Sequence, residues 1–70
     1  MKFNAENVLK EQIKAIERDI ISYARMSYRR KSFSYREISP NSIKIIRYLQ
    51  DKGFVVYNDE TNKEIDVIWG

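Results

Sequence analysis

Leu9, Ile13, Ile16, Ile20 and Tyr23 recur at intervals of four, three, four and three residues, a spacing that gathers side chains on one side only when the backbone is helical. No glycine or proline interrupts the run. Asn4 suits an N-cap, because its side-chain oxygen accepts from the free N–H groups of a first turn. Phe3 and Val8 stand where a hydrophobic staple would close over that turn. The pattern predicts a helix from Ala5 to Arg29, roughly 37 Å long at 1.5 Å per residue. It also reads as two heptads, flanked by Ala5, Ile21 and Ala24, which is too few for an independent coiled coil.

Further elements follow from local punctuation. Ser32-Phe33-Ser34-Tyr35-Arg36 alternates polar and aromatic residues, so a strand is expected with Phe33 and Tyr35 on one face. Ser39 and Pro40 suit the N-cap and first position of a second helix, with Ile38 and Ile43 as its staple and Ile45, Ile46 and Leu49 as its inner face. Gly53 stands where a left-handed C′ residue ends that helix, with Phe54 placed to pack on Leu49. Phe54–Tyr57 and Ile65–Trp69 are β-branched and aromatic, and the polar run Asn58–Lys63 joins them as a hairpin. Ile65, Val67 and Trp69 share one face. The expected fold is α+β in the order α-β-α-β-β, a single domain with a three-stranded antiparallel sheet covered on one face by two helices.

The means of stabilising such a fold are few. A chain of 70 residues buries only about 60% of its unfolded surface. With neither cysteine nor histidine, disulfides are excluded and zinc has only carboxylates to bind it. Self-association through Leu9, Ile13, Ile16, Ile20 and Tyr23 is the route left open unless the core alone suffices: the seam either packs on the sheet and the second helix or, because the expected helix outreaches the sheet, leaves part of its stripe for a second copy. No apolar stretch approaches a membrane span and the first residues carry no apolar signal core, so a cytoplasmic location without membrane partners is expected.

The same composition argues against an enzyme. There is no imidazole for acid–base work and no thiolate nucleophile. The serines have places in a strand edge and a cap, while Asp59, Glu60, Glu64 and Asp66 belong to a surface hairpin and not to a cleft. No catalytic residue, cofactor or metal site is expected. Charge is unevenly spread: residues 25–36 sum to +5, through Arg25, Arg29, Arg30, Lys31 and Arg36, whereas residues 54–70 sum to −3. Tyr28 and Tyr35 interleave with these cations. Guanidinium forks grip phosphate and aromatic faces stack on bases, so this segment is a candidate anion or nucleic-acid site, alongside the plainer reading of a solvated helix end.

The second helix with its hairpin resembles the recognition helix and wing of a winged helix. The preceding helix of a helix-turn-helix is missing from this pattern, since the expected strand runs almost directly into Ser39-Pro40. The wing is acidic, which repels phosphate, and Lys44, Arg47 and Lys52 offer weak groove contacts. Phe33-Ser34-Tyr35, Ile38-Ser39, Leu49 through Val56, and Ile65 to Trp69 resemble small phage-encoded proteins over about half the chain. That resemblance implies an accessory factor that binds and modulates a host or phage protein, as an inhibitor does, in the host cytoplasm. Three functions are therefore expected in order: a non-enzymatic protein-binding factor; a nucleic-acid or nucleotide binder using the basic aromatic segment; and an oligomeric structural component, with a homodimer through the first helix compatible with the first and third.

Overall fold

A computed structural model describes residues 5–70 of the chain. The expected Asn4 cap and the Phe3 half of its staple lie outside those residues. The elements are α1 (Ala5–Arg25), β1 (Arg30–Ser34), α2 (Tyr35–Ile38), α3 (Ser42–Asp51), β2 (Val55–Asp59) and β3 (Glu64–Ile68). The strands form one antiparallel sheet in the order β1-β3-β2. This is an α+β, winged-helix-like arrangement, with β2 and β3 as the wing.

The strand register sorts the sheet into two faces, because side chains alternate along each strand. Phe33, Ile65 and Asn58 stand across one inner row, and Lys31, Val67 and Val56 across the next. The outer rows are Arg30, Ile68 and Val55; Ser32, Asp66 and Tyr57; and Ser34, Glu64 and Asp59. The buried core takes Ile16 and Ile20 from α1, Phe33 from β1, Ile38 from α2, Ile45 and Leu49 from α3, and Ile65 and Val67 from β3. Ile46, Phe54, Val56 and Trp69 pack around it. The expected inner faces of the second helix and the last strand are thus observed.

Three boundaries differ from the sequence reading. The first helix ends at Arg25 and not at Arg29. Tyr28 N–H donates to Tyr23 O and Ser27 N–H to Ala24 O, both at 3.0 Å, the paired bonds of a Schellman ending. Ser27 occupies the left-handed C′ position, with φ of 69°, and the rings of Tyr23 and Tyr28 meet at 5.3 Å. The helix is therefore about 31 Å long, and the chain is free to enter β1 two residues earlier than expected.

The second difference is that Tyr35 and Arg36 leave the strand and form α2 with Glu37 and Ile38. Glu37 Oε2 accepts from Ser34 N–H at 2.8 Å, satisfying a donor that the strand no longer uses. A one-turn helix thus fills the place that the sequence left empty in the helix-turn-helix. Third, α3 begins at Ser42, with Ser39 closing α2 and a cis Ser39–Pro40 peptide between them. Ile38 is buried while Ile43 is 68% exposed, so the expected staple between them does not form. The far end of α3 follows expectation. Gly53, with φ of 96°, donates to Gln50 O, and Phe54 N–H donates to Leu49 O at 3.0 Å.

Candidate functional site: an apolar groove along the first helix

The positively charged segment is not one patch. Arg30 pairs with Ile68 at one end of the sheet, and Ser34 pairs with Glu64 at the other. Strand β1 therefore separates Arg25, Arg29 and Arg30 from Arg36, which lies near Lys63 of the wing. Arg30 Nη2 donates to Asp66 Oδ2 at 3.0 Å, and Ser32 Oγ donates to the other oxygen of the same carboxylate. Lys31 Nζ lies 5.1 Å and 4.9 Å from the ring centres of Tyr23 and Phe33 and donates to Ser32 O at 2.9 Å. Among the described residues, Arg25, Arg29 and Arg36 make no ion pair.

The two tyrosines of that segment part company. Tyr28 is 56% exposed and borders a shallow recess with Arg29 and Trp69. Tyr35 is half-buried against the core, and its hydroxyl donates to Asn58 Oδ1. Tyr28 presents an exposed ring beside the unpaired Arg29, whereas half-buried Tyr35 lines a recess with the unpaired Arg36.

The helical seam is largely spent inside the chain. Ile16 and Ile20 are core residues, and Leu9 and Ile13 pack against them. Tyr23 is half-buried beneath Lys31 and beside Tyr28. Little of this stripe remains for a second copy.

What stays open is the flank of the seam. Val8, Glu11, Gln12, Ala15, Ile16 and Asp19 project from α1 at steps that hold them on one side, and face Phe33 of β1 and Glu37 of α2 across a groove of about 380 Å³. Its geometry has a simple origin. Five-residue strands reach roughly 17 Å at 3.3 Å per residue, whereas α1 extends about 31 Å. Part of the helix therefore overhangs what the sheet covers. The floor is Ile16 and Phe33, both buried, and the walls include half-buried Val8 and exposed Ala15.

One wall is fixed by Gln12. Its Nε2 donates to Ser39 O at 2.7 Å and Glu37 O at 3.2 Å, and its Oε1 accepts from Asn41 Nδ2 at 2.8 Å. Asn41 is 9% exposed and is the buried polar residue of the described core. Both of its roles are structural: Gln12 satisfies it and ties the turn between α2 and α3 to α1. A second tie, Tyr48 Oη to Glu17 Oε2 at 2.9 Å, holds α3 to α1. That hydrogen bond, with burial and the nearby carboxylate charge, raises the Tyr48 phenol above its ordinary range.

The groove is acidic at its edges. Glu11, Asp19 and Glu37 line it, and none of the described residues that line it is a lysine or arginine. Glu11 meets Lys14 only at 3.9 Å, with both side chains largely in solvent. Asp19 is half-buried and has no ion pair or side-chain hydrogen bond among the described residues. Of the groove lining, Val8, Ile16 and Phe33 stand out in the sequence, as staple, seam and strand residues, whereas Glu11, Gln12, Ala15, Asp19 and Glu37 do not. The signal was present in two forms: a second stripe on α1, one residue behind the apolar seam, and Ser34-Tyr35-Arg36-Glu37, a capping-box spacing that marks a helix start.

No grouping of three potential metal-ligating side chains occurs among the described residues, and no described helix is long and apolar enough to cross a membrane. No protein-family profile, curated protein or solved structure matches this chain.

Proposed function

We propose that this chain is a non-enzymatic protein-binding factor that receives a segment of its partner in the groove along α1. The observation that carries this reading is the recess between α1, β1 and α2, where half-buried Val8 and exposed Ala15 of α1 stand over the closed core residues Ile16 and Phe33. Exposed apolar concavities with a few polar groups at the edge are the usual form of a binding site. The absence of histidine and cysteine from the chain supports binding over catalysis.

The winged-helix-like arrangement raises DNA as the competing partner, and the charges of the relevant face weigh against it. A winged helix meets DNA with its recognition helix and wing. Here the wing carries Asp59, Glu60 and Glu64 against Lys63, and α3 with its C-cap exposes Ile43 beside Lys44, Arg47 and Lys52 against Asp51. Phosphate binding needs a surplus of cations on that surface. The unpaired Arg25 and Arg29 lie at the other end of the sheet. Exposed Tyr28 beside Arg29 favours a second, weaker reading, an anion contact confined to that end, which a salt-dependent titration with a single-stranded oligonucleotide tests.

Photocrosslinking tests the leading reading. Ala15 replaced by a photoreactive phenylalanine is expected to yield one discrete protein adduct in cells that carry the gene, whereas the same replacement at Arg47 yields none. Adducts from Arg47 and none from Ala15 would overturn it.

A further inference from the structure

Resting on the reading above, the geometry points to a partner of defined chemistry: we infer that the groove takes an extended peptide segment that alternates apolar and cationic side chains. Three features converge on that occupant. Val8 and Ala15 present the apolar surface of the recess, above the closed core residues Ile16 and Phe33. The edge residues that carry charge, Glu11, Asp19 and Glu37, are all acidic. They are so in a chain whose net charge is +3, so the groove departs in sign from the molecule around it.

Asp19 is the most informative of the three. It has no ion pair or side-chain hydrogen bond among the described residues, which leaves its carboxylate open to a bound ammonium or guanidinium. Glu37 already uses Oε2 on Ser34 N–H, which fixes the carboxylate and leaves Oε1 for a ligand. The residues Val8 to Asp19 extend about 16 Å along the helix axis, room for roughly five residues of extended chain at 3.3 Å each. Alternate side chains of an extended peptide point to opposite faces, so one set turns toward Val8 and Ala15 while the long cationic side chains of the other set bend back to the carboxylates at the edge. Nucleic acid is excluded as the occupant by the sign of those edges. A second copy of this chain is disfavoured because the exposed side of α1 carries both Lys10 and Lys14 and Glu11, with no apolar-cationic strand described as free to enter.

The test uses three short synthetic peptides of equal length, in which leucine alternates with lysine, glutamine or glutamate. Each is titrated into the isotopically labelled full chain and followed by backbone amide shifts. The lysine peptide is expected to move Val8, Ala15, Ile16 and Phe33 and to bind about tenfold more tightly than the glutamine peptide at low salt, with the margin shrinking as salt is raised. Glu11→Gln with Asp19→Asn should weaken the lysine peptide about fivefold and leave the glutamine peptide unchanged. Ala15→Trp should abolish binding of both; its denaturation midpoint, compared with the parent, shows that the fold is intact. Equal occupation of the groove by the glutamine or glutamate peptide would overturn the charge assignment while leaving the protein-binding reading standing. Shifts confined to Asp59, Glu60 and Glu64 would overturn the site. Groove amides that move with protein concentration alone would assign the groove to a second copy and overturn the inference.

Discussion

Gln12 carries more of this structure than its place on a solvent-flanked helix suggests. One amide group answers two carbonyls and a buried asparagine, so removing it leaves Asn41 without its partner in a region that excludes water. Gln12→Ala is expected to destabilise the fold by about 1–3 kcal/mol, read as a lower midpoint in urea, while Gln50→Ala on the exposed side of α3 stays within about 0.5 kcal/mol of the parent. The two left-handed C′ residues make a paired prediction of opposite sign. Gly53 has open space where a Cβ would stand, so Gly53→Ala costs only backbone strain, about 1–2 kcal/mol. Ser27 already bears that strain at φ of 69°, and Ser27→Gly should raise stability by up to about 1 kcal/mol. Thermal denaturation of the two variants checks both signs.

At the scale of elements, α1 is held to the second half of the chain by side-chain bonds as well as by the core. The Tyr48–Glu17 bond makes the alkaline limb of stability depend on one phenol. Its folded pKa is raised, so its contribution is complete below about pH 10, where free tyrosine ionises. Above that pH the unfolded chain releases the proton first, and stability falls until the folded pKa is passed. Tyr48→Phe should therefore lose about 1 kcal/mol at neutral pH and decline less steeply above pH 10 in chemical denaturation. The wing behaves in the opposite sense: the Asn62 side chain and backbone, with Thr61 N–H, lower the Asp59 pKa, so its turn contacts weaken as the pH falls through that lowered value.

Element identity was readable wherever local chemistry was unambiguous. The apolar seam of α1, the Gly53-Phe54 ending of α3 and the alternating Ile65-Val67-Trp69 face all stand as the sequence indicates. Boundaries failed where a residue filled a role usually given to another. Ser27 takes a glycine's place and shortens α1. Ser34 and Glu37 turn an aromatic strand pattern into a helix start. Ser39 closes α2 and so is not the cap of α3, which starts at Ser42 with Asn41 in the N-cap position and its side chain bonded to Gln12. The groove was harder still to read, because it comes from the mismatch between a long helix and short strands, and its lining joins three elements that are adjacent only in the fold.

For the whole molecule, division of charge is the organising fact. Arg25 and Arg29 lie at one end of the sheet, the acidic wing at the other, and the groove between α1 and α2 is acidic in its own right. A short DNA duplex titrated at low salt is expected to shift amides near Arg25 and Arg29 weakly and to leave α3 and the wing unmoved. The measurement that bears most directly on function is affinity capture from source-cell lysate with three forms of the chain: the parent, Ala15→Trp in the groove and Arg47→Glu on α3. The parent and Arg47→Glu should retain the same protein in stoichiometric amount, and Ala15→Trp should lose it. Retention by Ala15→Trp with loss by Arg47→Glu would move the binding surface to the winged-helix face and contradict the account given for the groove.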